Sequence, residues 1–348
     1  MKKLIALLLA LMLPCAALAD GVVNVFNWEE YIDESVLEEF TARTGVKVNY
    51  MCFTTNEDMM LSVETGVANN FGYYDVVFPS EYMVQRMTNK GMLQEIDFSK
   101  ITNIGQIQTN LMNASYDPTG THSIPYMWGT LGILYNTELV DEEDVKTWGV
   151  LWNEKYKGQI LMMESQRDAI GIALKYLGYS MNSNDYTQLR EATDLLIKLK
   201  TSGQVKAWGL DEFKDKMVAG EAAMAVVYSG DAQYAIDLND KLAYAIPMEG
   251  TNIWTDAIVI PADARNVENA HLFIDFLCDP EIAARNCEEI WYCSPNTGAI
   301  EIMGEEYTSS PVMNPTEEEV ARCEYFNDLD PAWLTIYNQL WQDVRNAK

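Results

Sequence analysis

Residues 26–32, F-N-W-E-E-Y-I, bring two aromatic rings and two carboxylates together: Trp28, Glu29, Glu30 and Tyr31. The same residue types return along the chain. Ser80 and Tyr82 follow Pro79, and Ser165 and Asp168 follow an apolar run that ends at Met163. Tyr228 and Asp231 frame Ser229-Gly230, Trp254 and Asp256 share W-T-D, and Trp291 and Tyr292 stand together later. Basic residues are scarce around them, with Arg86 and Arg167 nearby. This mixture has a use. A carboxylate replaces the hydration that an ammonium group loses on entering a pocket. A ring face attracts a cation by about 0.5–2 kcal/mol and covers methylenes at about 0.8 kcal/mol each. Acids at two ends with rings between suit a linear polyamine.

Each residue also has a structural use. Ser80 suits a helix cap. Glu29, Glu30, Asp33 and Asp168 suit helix N-termini through the helix dipole. Tyr228 and Trp254 suit a core. What sets them apart is recurrence at the ends of expected strands.

Those elements can be read from periodicity. Residues 22–27, 46–51 and 74–78 read as strands, and residues 33–44, 59–67 and 81–89 as helices, with Gly45 and Pro79 as stops. This βαβαβα order argues for a parallel sheet covered by helices. A second unit follows. It has extended residues 133–135, strands at 159–163, 222–228, 242–246 and 253–260, and helices at 170–177, 185–200 and 272–277. A last helix is expected at 332–344. Residues 129–135 and 254–260 are candidate links between the two units. Open α/β sheets bind ligands at the carboxyl ends of their strands, which is where the aromatic and acidic residues collect.

The first 19 residues read as a secretory signal peptide: Lys2 and Lys3, an apolar run at 4–13, then Ala17-Leu18-Ala19 before Asp20. Cys15 offers lipid anchoring as an alternative. An exported, extracytoplasmic protein is expected. The 348 residues suit two domains, and 48% hydrophobic content suits a full core. Lys and Arg number 24 against 52 Asp and Glu, a formal net charge of −28. Such a field repels phosphate backbones, argues against nucleic acid and attracts cations, and it also keeps an exported protein soluble. Beyond Cys15 there are Cys52, Cys278, Cys287, Cys293 and Cys323. Structural thiols, or a disulfide joining one pair of the 278–293 group, are expected ahead of metal binding. Glycine-rich nucleotide loops, G-x-S-x-G and H-E-x-x-H are absent from the sequence.

Five segments carry a resemblance over nearly the whole mature chain: residues 26–32, 74–82 (Y-D-V-V-F-P-S-E-Y), 123–130 (S-I-P-Y-M-W-G-T), 254–261 (W-T-D-A-I-V-I-P) and 288–296 (E-E-I-W-Y-C-S-P-N). The chain resembles the extracytoplasmic polyamine-binding proteins of bacterial ABC importers, the spermidine- and putrescine-binding receptors. The resemblance implies a two-lobed periplasmic-binding-protein fold, two α/β domains joined by a hinge with the ligand cleft between them. Residues 20–132 plus about 257–310 would form one lobe, and 133–256 plus about 311–348 the other. It implies putrescine or spermidine as ligand, importer permease subunits as partners, a monomer, no cofactor and no catalysis. Trp28 and Tyr31, Ser80 and Tyr82, Asp168, Trp254, Asp256 and Tyr292 match the family's site positions. Tyr228 stands where a Trp is usual, Ser165 where the spermidine type has a second acid, and Phe326 where it has a glutamine. Glu30 and Asp231 match acids of the putrescine type and lean toward a shorter diamine.

In this reading Asp168, Asp231 and Asp256 hold ammonium groups. Trp28, Tyr31, Tyr228, Trp254 and Tyr292 box the aliphatic chain, and Ser80 and Tyr82 add hydrogen bonds. The rivals are a receptor of the same fold for a cationic amino acid or metal complex, and a secreted carboxylate-dependent hydrolase. An amino acid would need an Arg for its carboxylate, and none is expected in a suitable place. A ferric site would need His122 or His271 near the tips.

Overall fold

The computed structural model describes residues 21–348 except 113 and 211; the leader and Cys15 lie outside the described residues. Its nine strands are β1 (Val22–Trp28), β2 (Lys47–Phe53), β3 (Val76–Val77), β4 (Ser123–Asn136), β5 (Ile160–Met163), β6 (Val205–Gly209), β7 (Met224–Tyr228), β8 (Leu242–Ala245) and β9 (Ile253–Val259). They join in the order β2-β1-β3-β9-β4-β7-β5-β6, with β8 also on β4.

The parallel pattern holds at each flank. β1 runs parallel to β2 and β3, and β5 runs parallel to β6 and β7. The centre departs from it, because β9 and β4 are antiparallel to their neighbours. Residues 133–135 are the end of a strand of 14 residues, all buried. The first half of β4 pairs with β9, and its second half pairs with β7 and β8. A strand covered on both faces shows no apolar–polar alternation, so its length was illegible. The strand expected at 74–78 shrinks to a ladder of two residues, though Asp75 N–H and Phe78 N–H still bond to β1 carbonyls.

The cores follow the two flanks. Val23, Val25, Val76, Phe78 and Ile258 pack with Phe40 and Phe273 in one. Ile133, Ile160, Met162 and Val226 pack with Trp148, Leu196 and Tyr337 in another. The C-terminal helix Pro331–Asn346 buries Tyr337, Leu340, Trp341 and Val344 in the second. The helix expected at 170–177 begins earlier, at Gln166, and so takes Asp168 into its first turn. Helices Ser229–Leu238, Pro280–Ile290 and Thr297–Thr308 appear where no helix was expected.

The disulfide alternative is not met. The five described cysteines are free. Cys287 donates its thiol to the Tyr292 carbonyl at 2.9 Å and Cys293 donates to Val312 at 3.6 Å, so these buried sulfurs are satisfied locally.

One buried acid clamps the first flank. Asp75 accepts from Asn24 N and Nδ2, both at 2.8 Å, and from the Arg265 and Asn266 amides at 3.0 and 2.8 Å. Its burial is complete. Asn266 Nδ2 also donates to Asp75, at 3.0 Å, so Asp75→Ala strands five donors and should cost about 3–5 kcal/mol of stability, read as a lowered urea midpoint. A loss below about 1 kcal/mol would show that water replaces the clamp.

Candidate ligand cleft

A cleft of about 770 Å³ opens among the strand ends and the segments that follow them. All twelve residues singled out in the sequence line it: Trp28, Glu30, Tyr31, Ser80, Tyr82, Ser165, Asp168, Tyr228, Asp231, Trp254, Asp256 and Tyr292. Trp291 does not line it; it caps its helix in the left-handed region (φ 64°) with its side chain largely exposed.

The tip of β1 divides its labour. Glu29 and Glu30 are exposed, and Glu30 takes a left-handed backbone (φ 51°). Tyr31 turns inward and is buried. Helix capping falls to Asp33, which accepts from Ser35 N–H at 2.9 Å.

Asp256 lies on β9 rather than at a strand's carboxyl end. Because β9 is antiparallel, its first half lies beside the ends of the parallel strands. A bridge between Ser80 and Asp256 brings the two together. Ser80 Oγ donates to Asp256 Oδ1 and Tyr31 Oη to Oδ2, each at 2.7 Å. The Ser80 side chain makes no cap bond to its helix, so the capping alternative does not hold. Asn56 Nδ2 donates to both Ser80 Oγ and Tyr82 Oη at 3.0 Å and fixes that pair.

Asp168 is the second buried acid. Ser165 Oγ donates to its Oδ2 at 2.5 Å and Tyr228 Oη does so at 3.0 Å. Its other oxygen, Oδ1, is buried with no hydrogen-bond partner among the described residues. The aromatic rings connect the two acids. Tyr228 meets Trp254 at 6.2 Å between centroids, Trp254 meets Tyr292 at 4.7 Å, and Tyr292 meets Tyr31 at 6.3 Å. Two glycines make room for them. A Cβ on Gly129, which pairs with Trp254 across β4 and β9, would lie 2.6 Å from that indole. A Cβ on Gly230 would lie 2.3 Å from the Tyr292 ring. Only residues without side chains let rings approach this closely.

Three cations also line the cleft: Arg86 and Arg167, the two arginines the sequence places near the tips, and Lys214. Arg86 binds Asp328 at 2.6 Å. Arg167 stacks on Phe326, 4.4 Å from the centroid, and donates to Asn327 O and Asn182 Oδ1. Lys214 reaches Asp231 at 3.0 Å. Neither His122 nor His271 lines it. No group of three or more His, Cys, Asp or Glu among the described residues is placed to hold a metal ion. None of the described helices is long and apolar enough to cross a membrane.

A model of the bacterial extracellular solute-binding proteins matches residues 35–315. The chain belongs to this family. A spermidine/putrescine-binding periplasmic protein of Escherichia coli K12 is 34% identical over 335 residues, 96% of this chain and 94% of that one. A putrescine-binding periplasmic protein of Pseudomonas aeruginosa is 30% identical, covering 100% and 98%. Among solved structures, a spermidine/putrescine ABC transporter substrate-binding protein of Streptococcus pneumoniae superposes with a TM-score of 0.85. It is 36% identical and covers 94% of this chain and 99% of that one. The likeness to this solved substrate-binding protein, over nearly the whole of both chains, bears out the two-lobed periplasmic-binding-protein fold.

In this solute-binding protein the sequence reading missed Asn56, Lys214 and above all Glu81. Glu81 read as an ordinary acid in a first helical turn. It is buried in the cleft wall, where Thr255 N–H donates to it at 3.3 Å. Burial, with the Asp256 charge beside it, pushes its carboxyl up to about 8. Burial likewise pushes Asp256 up to about 6, against the hydrogen bonds from Ser80 and Tyr31, and raises Asp168. Each acid thus holds a proton more tightly folded than unfolded. The stability this contributes is full below the unfolded values near 4 and is lost as pH rises through about 6 and 8. Asp256→Asn should therefore stabilise the empty protein by about 1–3 kcal/mol at pH 8 and by little at pH 4, measured by chemical unfolding. A variant less stable than its parent at pH 8 would show that the ionised carboxylate is not a burden.

Proposed function

We propose that this protein binds linear polyamines, putrescine or spermidine, in the periplasm and delivers them to the permease subunits of an ABC importer. The observation that carries this reading is the run of four rings, Tyr228, Trp254, Tyr292 and Tyr31, joining Asp168 to Asp256. A diamine laid along it offers an ammonium to each buried acid and its methylenes to the rings. Ser80 supports the Asp256 end and Ser165 the Asp168 end. Trp28 extends the apolar wall, and Tyr82 and Glu30 stand at the edge. The names of the relatives, spermidine/putrescine- and putrescine-binding, support the same ligand class.

The protein acts as a monomeric receptor and catalyses nothing. Asp168 and Asp256 are held by hydroxyls, and Asp231 by Lys214, rather than set against a nucleophile. Its acidic surface discourages nucleic acid. The lobes divide at the crossings of β4 and β9, as 20–132 with about 257–310 and 133–256 with about 311–348. By these bounds Asp168 and Asp256 both fall in the second lobe, with Asp256 at its border, where it accepts from Ser80 and Tyr31 of the first; a diamine between the two acids therefore lies where the lobes meet. Arg167 gives the amino-acid alternative a specific footing, since its buried Nε has no acceptor among the described residues.

Thermal-shift titration of ligand-free protein with putrescine, cadaverine, spermidine, lysine and arginine separates the readings. A ligand at a hundredfold excess over Kd stabilises the fold by about 2.7 kcal/mol. Putrescine or spermidine should give such a shift, retained at moderate salt, and lysine and arginine should not. Asp256→Asn and Asp168→Asn should each weaken binding by about thirtyfold or more, because a buried charge pair loses one partner. Below pH 6 amine affinity should fall by up to about tenfold per pH unit, as the entering amine displaces the Asp256 proton. A shift with amino acids alone would transfer the site to a carboxylate-bearing ligand, and no shift at all would remove the polyamine reading.

A further inference from the structure

Asp231, one of the acids expected to hold an ammonium, already has one beside it. Lys214 Nζ lies 3.0 Å from Asp231 Oδ1, and both residues line the cleft. The lysine comes from helix Phe213–Val218 and crosses to helix Ser229–Leu238. There it meets two groups three residues apart, which share a helix face. These are the Asp231 carboxylate and the Tyr234 ring, whose centroid is 5.6 Å from Nζ. The Asp231 side chain is 13% exposed and the lysine 33%, so the pair sits in the wall rather than in open solvent.

We propose that Lys214 is a resident cation that takes the place of a ligand amine at the Asp231 end, and that it makes the cleft select amines with two ammonium groups over those with three. The proposal rests on the polyamine reading and goes beyond it by assigning a length-selecting residue. An ammonium directed at Asp231 meets a carboxylate that is already neutralised and a like charge at its side. It gains little and is repelled. The other acids are not answered in this way. Asp256 and Asp168 are held by Ser80, Tyr31, Ser165 and Tyr228, neutral groups that leave the carboxylate charge for a ligand. Two ligand ammonium groups therefore match the two acids whose hydrogen bonds come from hydroxyls, Arg167 standing near enough to Asp168 to favour its charge, with the lysine completing the set.

The test is isothermal titration of the parent protein with putrescine and spermidine, then of Lys214→Met, Lys214→Gln and Lys214→Arg. The parent should bind the diamine more tightly. Met or Gln should shift the affinity ratio toward the triamine by about tenfold or more, since a close like charge is removed. Arg should keep the parent ratio. Asp231→Asn, which leaves the lysine charge in place, should move the ratio the other way. A parent that prefers the triamine, or Met and Gln variants whose ratios stay within about twofold of the parent, would overturn the proposal while leaving the polyamine reading intact. A parent that binds neither amine overturns that reading, and this proposal with it.

Discussion

A carboxylate taken out of water must recover its lost hydration, and most proteins supply a cation. Here Asp256 and Asp168 receive hydroxyls instead, from Ser80, Tyr31, Ser165 and Tyr228. Neutral donors orient an acid without cancelling its charge. The empty cleft is thus left short of positive charge, with a buried oxygen of Asp168 lacking a hydrogen-bond partner among the described residues and Glu81 and Asp256 each shifted toward the protonated form. The rest of the structure serves this imbalance. Rings keep water away from it, and glycines let the rings close in.

The sheet explains how groups distant in sequence share one cleft. Two parallel α/β flanks alone would each present their own strand ends. The antiparallel pair β4 and β9 runs through both and carries Gly129, Trp254 and Asp256 into the space between. Family membership and the high structural similarity to substrate-binding proteins fit this arrangement.

Much of this was legible because residue type and strand period are local signals. The tips of β1 and β7 could be read off the chain, and so could the pairing of rings with acids. What escaped depended on partners. β4 is buried along its whole length, so no alternation marked its extent. Helix Ser229–Leu238 begins with Ser-Gly-Asp directly behind β7, and a glycine in its first turn is a poor helix signal. Glu81 looked like any acid at a helix start until burial against Thr255 set it apart. Lys214 carried no signal, since only the fold brings it to Asp231. Of the two alternatives for the cysteines, structural thiols hold: Cys287 and Cys293 are buried and donate to the Tyr292 and Val312 carbonyls.

Strand β9 places Trp254 and Asp256 on the cleft side, while Thr255 and Ala257 between and after them are fully buried away from it. Side chains in a strand alternate with a period of two, so the spacing of the ring and the acid is a matter of parity. A one-residue insertion or deletion between them would send one of the pair into the packed interior and bring Thr255 or Ala257 to the ligand. Drift at this strand is therefore confined to exchange of one side chain for another, whereas the exposed loops can change length.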